Sequence, residues 1–336
     1  MPILTTSSFK PAWWLNHPHL QTLWPALFRP SPTLARVRER LHTVDGDFLD
    51  IDWCGTEPRA IVMLLHGLSG SSQSSYILGM QRELLSKGFC SVALNFRGCS
   101  GQPNNTARCY HSGDTDDVDF LYRHLRKTYP HTPLAIVGYS LGGNVLLKWL
   151  GEGRKNIDVF AAAAVSVPLL LNECSSRMDL GFSKLYRNQL LRELKQYIRY
   201  KHHHLQKIGQ SEDSDRLGKL GDLAPLRSFW EYDGRVIAGL YPFSDVHEYY
   251  AKSSSRQYLK TIATPTLIIH SRDDPFMTAK VIPSEQELST CIDFELSPAG
   301  GHVGFVSGGI PGRPRYWLEE RIPRFIQQQL LRTLRD

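Results

Sequence analysis

An apolar run that breaks into a glycine-flanked serine limits this chain to a small set of folds. Leu134-Ala135-Ile136-Val137, introduced by Pro133, leads into Gly138-Tyr139-Ser140-Leu141-Gly142. Gly143 to Leu150 follow, with apolar residues at helical spacing. The order is strand, sharp turn, helix, with a serine at the tip. Glycine on both sides suits a strained backbone where neighbouring side chains would collide. Such a turn lifts the Ser140 hydroxyl clear of a sheet and sets it beside a helix N-terminus, a layout suited to acyl transfer.

The segments around it alternate. Strands are expected at 48–53, Ala60–His66, Ser91–Phe96 and Phe160–Val167, with helices at about 75–87 and 114–128. The second helix opens on Asp114, Asp116 and Asp117 and closes on Arg126 and Lys127, as the helix dipole favours. Fully apolar strands alternating with helices predict an α/β fold, a mostly parallel sheet with helices on both faces. The rhythm stops between Val167 and the strand Thr266–His270, where about a hundred residues carry no strand pattern. Residues 182–208 read there as a long basic helix, and an inserted helical cap is expected over about 170–262. A strand at 292–296 and a helix at about 315–333 complete a domain spanning 41–336.

Residues 1–40 are a separate case. Trp13, Trp14, Trp24, Phe9 and Phe28 share this stretch with six prolines, a mixture that resists regular helix or strand. Two readings stand side by side: an arm packed on the domain surface, or a segment that walls an acyl pocket or touches a lipid interface.

Composition narrows the function. With 336 residues, 41% of them hydrophobic and 21% charged, the chain can bury a sizeable core. Its net charge of +6 is scattered, and no nucleic-acid-binding signature appears, so no nucleic-acid partner is expected. None of the six cysteines forms a CxxC pair, which suits reduced thiols and a cytoplasmic location. No signal peptide is expected from the first ten residues. The longest apolar stretches, Ala60–Leu65 and Phe160–Leu171, are too short for a transmembrane segment, which leaves peripheral membrane contact open. Neither GxxxxGKS/T nor GxGxxG occurs, so no cofactor is expected. His202-His203-His204 lacks the spacing of a functional metal site, and none is expected.

Three features add chemistry to Ser140. The strand Ile61–Leu65 runs into His66-Gly67-Leu68, and the Leu68 N–H, with that of Leu141, could form a two-donor oxyanion hole. The strand Thr266–His270 ends in Asp273-Asp274-Pro275. Only one of these carboxylates should orient a histidine, because alternation sends their side chains apart. Asp274, just before the turn proline, is favoured, and Asp273 is expected to cap the loop. Gly300-Gly301-His302-Val303-Gly304 places a histidine among glycines, as a flexible exposed loop would suit a group that swings between nucleophile and leaving group. The order Ser140, Asp274, His302 is the one an α/β-hydrolase fold imposes.

The chain resembles the YheT-type esterases of the α/β-hydrolase superfamily (hydrolase family 4), whose eukaryotic relatives include membrane-anchored lipases and medium-chain acyl-ester enzymes. The likeness runs through His19-Leu20-Gln21-Thr22, His66-Gly67-Leu68, Asn95-Phe96-Arg97-Gly98-Cys99, Tyr110-His111-Ser112-Gly113 and Gly138–Gly143. It continues through Phe243-Ser244-Asp245-Val246, Tyr249-Tyr250, Asp273-Asp274-Pro275 and His302. It implies a cytosolic serine carboxylic-ester hydrolase with Ser140, Asp274 and His302 as triad. Its expected partner is a small acyl ester of short to medium chain length. Two alternatives remain from the residues alone: acyl transfer to an alcohol on the same triad, and ligand binding without turnover. The spacing of His111 and Asp116 also matches an acyltransferase pattern, although Asp116 is better placed to serve a helix N-terminus.

Overall fold

A computed structural model describes residues 3–56, 58–153 and 157–335. Met1 and Pro2 of the expected arm, and Asp336 at the end of the expected domain, lie outside the described residues. Nine strands make one sheet: β1 (Ile3–Thr6), β2 (Val37–His42), β3 (Phe48–Cys54), β4 (Ile61–Leu65), β5 (Cys90–Leu94), β6 (Leu134–Tyr139), β7 (Ala161–Val165), β8 (Thr266–Ser271) and β9 (Ile292–Ser297). Their order is β1-β9-β8-β7-β6-β4-β5-β3-β2. Within this sheet β3 pairs antiparallel with β5 and with β2, and the other described pairs are parallel.

The unbroken apolar strands reflect burial on both faces. In β4, Ile61, Met63 and Leu65 enter one core, whereas Val62 and Leu64 enter the other. The first core is closed by helices Asp116–Thr128 and Leu141–Gly151, through Val118, Leu121, Val145 and Trp149. Helices Ser75–Ser86 and Trp317–Thr333 close the second through Ile77, Met80, Ile322 and Phe325.

Between β7 and β8 the chain runs through helices Leu171–Met178, Ser183–Lys207, Ser211–Gly218, Phe229–Tyr232 and Val246–Ser253. A single π-helical turn, Asp233–Ile237, interrupts them. Leu191, Leu194, Ile198, Leu217 and Val236 give these inserted helices an apolar cluster of their own.

The N-terminal stretch departs from expectation. Instead of resisting regular structure, it adds β1 parallel to β9 and forms a helix, Pro18–Phe28. Pro18 occupies the first turn, where its missing N–H costs nothing, and the His17 side chain accepts the His19 N–H. Pro25 lies inside this helix, so propensity alone would not hold it. Tertiary contacts do. Gln21 donates to the carbonyls of Leu15 and Val306 and accepts the Val306 N–H at 2.7 Å, and Trp14 packs edge-on against Trp24.

Candidate active site

The parallel strands end together, and the site assembles where they do. Ser140 joins β6 to helix Leu141–Gly151 with φ 51° and ψ −117°, a conformation costly for a residue with a side chain. The Ser140 N–H is tied to the Val165 carbonyl at 2.8 Å, which fixes the turn to β7. A Cβ at Gly142 would lie 2.5 Å from the His66 carbonyl, and one at Gly138 would lie 2.5 Å from that of Gly142. The backbone approach therefore requires glycine at both positions.

The loop after β4 is held by its own histidine. His66 is wholly buried, donates from Nδ1 to the Gly67 carbonyl at 2.7 Å and accepts the Phe96 N–H at Nε2. Burial lowers its pKa to about 4, so the ring is neutral, as these two bonds require. The Gly67 N–H donates to the Tyr76 hydroxyl and the Ser69 N–H to the Tyr110 hydroxyl. Between them lies Leu68. Leu141, as the first residue of its helix, has no intrahelical acceptor for its N–H. Leu68 and Leu141 line the same cavity as Ser140 and His302.

His302 comes within hydrogen-bond reach of both expected neighbours. Its Nε2 is 2.9 Å from Ser140 Oγ, and its Nδ1 is 2.8 Å from Asp274 Oδ2. With the carboxylate as acceptor, the proton sits on Nδ1 and the Nε2 lone pair faces the serine. Asp274 is buried, and its Oδ1 accepts the Phe276 N–H at 2.8 Å. The Phe276 ring stacks on the imidazole at 4.0 Å between centroids. Asp273 points elsewhere: it accepts the Gly301 N–H at 3.0 Å, and burial raises its pKa. Adjacent carboxylates thus serve one histidine differently, one through the ring and one through the backbone.

The histidine loop is pinned, contrary to the expectation of a flexible exposed one. Thr22 Oγ1 accepts the His302 N–H at 3.0 Å and donates to the Pro18 carbonyl at 2.8 Å. Ser166 Oγ accepts the Val303 N–H at 3.0 Å, and Ser271 Oγ donates to the Gly301 carbonyl at 2.7 Å. Val303 and Phe305 sit at φ 58° and 44°, which only such anchoring sustains. The imidazole itself is only 10% exposed.

The roles of Thr22, Gln21, Ser166, Tyr76 and Tyr110 escape a reading from the residues themselves, because each acts through hydrogen bonds that only the fold brings together. The His19-Leu20-Gln21-Thr22 and Tyr110-His111-Ser112-Gly113 motifs pointed toward three of them. The alternative pair resolves into separate duties. His111 is a buried acceptor for the Gly113 N–H with its pKa lowered to about 3 by burial, whereas Asp116 reaches outward to Arg108. Among the described residues, no group of three or more His, Cys, Asp or Glu side chains is arranged to hold a metal ion. Among them, too, no helix is long and apolar enough to cross a membrane.

Ser140 opens onto a cavity of about 860 Å³. Leu23 and Leu27 of the N-terminal helix wall one side, and Leu171, Tyr186 and Leu194 of the inserted helices wall another. Most of the exposed lining surface is apolar.

A family model described as alpha/beta hydrolase fold matches residues 60–308. The chain belongs to the α/β-hydrolase family. Within it, the chain is similar to YheT of Escherichia coli (strain K12), which bears an esterase designation, with 38% identity across 97% of this chain and 95% of that one. This degree of likeness makes it a YheT-type member. It is 28% identical to phospholipase ABHD3 of Mus musculus, over 96% of this chain and 79% of the other. An esterase of Pyrococcus furiosus shares the fold at a TM-score of 0.56 and 15% identity, covering 98% of this chain and 99% of the other.

Proposed function

We propose that this α/β-hydrolase is a serine carboxylic-ester hydrolase acting on short- to medium-chain acyl esters, acylglycerols among them. The reading rests on the continuous line from Asp274 Oδ2 through His302 to Ser140 Oγ, with bonds of 2.8 and 2.9 Å, at the wall of an apolar cavity. His302 accepts the Ser140 proton as the hydroxyl attacks the ester carbonyl. Asp274 keeps the proton of Nδ1 in place and stabilises the imidazolium that forms. The N–H groups of Leu68 and Leu141 receive the charge on the carbonyl oxygen. His302 then protonates the departing alcohol, and water repeats the sequence on the acyl-enzyme, regenerating the serine and releasing the acid. The esterase and phospholipase names of its relatives support the same chemistry.

A peripheral lipid contact fits this reading. Leu27 and Phe28 on the N-terminal helix, Leu180 and Phe182 in the turn between the first two inserted helices, and Leu185 on the second are exposed, and Leu27, Phe182 and Leu185 also line the cavity. Six free cysteines favour a reducing, cytoplasmic setting.

Ser140→Ala tests the assignment. Hydrolysis of p-nitrophenyl octanoate should fall by at least about 10⁴-fold with the fold intact. Turnover retained in pure variant protein would remove Ser140 from the mechanism.

A further inference from the structure

One carboxyl in the cavity has no part in the proposed ester cleavage. Asp233 opens the π-helical turn Asp233–Ile237, a rare geometry that often accompanies a functional site. Its Oδ2 accepts the Tyr250 hydroxyl proton at 2.7 Å, and the Tyr250 oxygen in turn accepts from Ser175 Oγ at 2.8 Å. Tyr250 and Ser175 are buried, so this chain of hydroxyls is fixed from behind. All three side chains line the cavity that holds Ser140 and His302. Asp233 itself is half-buried and borders the cavity.

The surroundings give that carboxyl little compensation. Phe229, Tyr232 and Ile237 flank it along the wall. Among the described residues it makes no ion pair, and burial lifts its pKa to about 7, opposed only by the Tyr250 bond. A carboxyl offers about four acceptor positions, and Tyr250 fills one. A partly satisfied polar group in an apolar pocket is costly unless something enters to complete it. A neutral or half-neutral carboxyl makes a poor counter-ion for a cation. It is well suited to a hydroxyl, to which it can both donate and accept.

We propose that Asp233, oriented by Tyr250 and Ser175, is a specificity-determining residue that binds a hydroxyl group carried by the ester substrate away from the scissile bond. This rests on the esterase reading above. The hydroxyl can belong to the alcohol part, as in an acylglycerol, or to the acyl chain, as in a hydroxy-acid ester. A pocket built to hydrogen-bond a hydroxyl discriminates against the analogue that lacks it, because its polar group is then left unpaired.

The test compares kcat/KM within two matched pairs: 1-octanoylglycerol against ethyl octanoate, and ethyl 8-hydroxyoctanoate against ethyl octanoate. Wild-type protein should favour the hydroxylated member of one pair by about tenfold or more. Asp233→Leu should lower that ratio at least about tenfold, and Asp233→Asn, which keeps an acceptor, should lower it less. The pair that responds identifies where the hydroxyl resides. Stoichiometric labelling of Ser140 by a fluorophosphonate reports that the site is assembled in each variant. If Asp233→Leu fails to fold, Tyr250→Phe replaces it and should lower the same ratio. Equal ratios in wild-type and variant proteins that label normally would overturn the assignment of Asp233 alone. Wild-type protein that neither labels nor cleaves either ester would overturn the esterase reading and this inference with it.

Discussion

The hydroxyl of Thr22 accepts the backbone N–H of His302 at 3.0 Å, across 280 residues of chain. A residue of the N-terminal helix thereby holds the histidine loop that faces Ser140. A Cβ on the neighbouring Gly301 would lie 2.6 Å from the Pro18 carbonyl and 2.7 Å from Thr22 Oγ1, so helix and loop meet with no room to spare.

Thr22→Val keeps the shape and removes the acceptor. The His302 N–H is then left without its partner, which costs about 1–3 kcal/mol locally. We expect kcat for p-nitrophenyl esters to fall about tenfold or more with KM little changed, since a misplaced base affects the chemical step more than binding. Steady-state kinetics beside a thermal melt separate this from global unfolding. An unchanged kcat would show that the loop keeps its place without the helix.

Asp273 and Asp274 differ in what neutralisation does. Asp274→Asn presents an amide to His302 Nδ1 and favours the wrong tautomer, so kcat should drop by about 10³–10⁴. Asp273→Asn retains an oxygen for the Gly301 N–H and should cost less than about tenfold. Kinetics of both variants decide it, and the reverse order would exchange their roles.

Gly142 carries the fold as well as the site. An added methyl would meet the carbonyls of His66 and Leu65 at 2.5 and 2.6 Å, and both belong to backbone that cannot swing aside. Gly142→Ala should therefore destabilise by about 2 kcal/mol or more in urea denaturation, and should lower activity even where the protein remains folded.

These cases show what the sequence makes legible. Ser140 and His302 stand out because the backbone demands around them fall on adjacent glycines, which any reader of the chain can see. Alternation implies that only one of Asp273 and Asp274 serves the histidine, and the turn proline favours Asp274; in the turn after β8, Asp274 meets the imidazole and its neighbour accepts from a backbone amide. Thr22 is different, since its duty depends on where residue 302 arrives in three dimensions. β2 escaped notice for another reason. Val-Arg-Glu-Arg-Leu-His has no apolar alternation, and the strand is held instead by cross-strand pairs, Arg38 with Asp52 and Arg40 with Asp50.

His66 makes stability depend on pH. Its native pKa is about 4, while the unfolded chain takes up the proton near the ordinary value of 6.5. Between those values the unfolded state binds more protons, so this contribution is complete above pH 6.5 and is lost as pH falls toward 4. The shift corresponds to about 3 kcal/mol. Urea denaturation of wild-type and His66→Gln proteins at pH 7.5 and pH 4.5 should show the wild-type advantage shrinking by about that order. An advantage that stayed constant would mean that His66 titrates alike in both states.

The exposed apolar residues beside the cavity invite a lipid surface. Phe28 is 63% exposed and Leu180 60%, and neither lines the cavity, so both can be changed without entering it. Inserting one such side chain into an interface is worth about 1.5–3 kcal/mol, and the net charge of +6 adds attraction to anionic lipid. The double variant Phe28→Glu, Leu180→Glu should cosediment with phosphatidylglycerol–phosphatidylcholine vesicles at least about tenfold less than wild type. Hydrolysis of soluble p-nitrophenyl acetate should be unaffected. Cleavage of vesicle-borne octanoylglycerol should fall in step with binding, because the substrate then reaches Ser140 only through a protein that is already docked. Equal cosedimentation of the two proteins would place the lipid contact elsewhere or remove it.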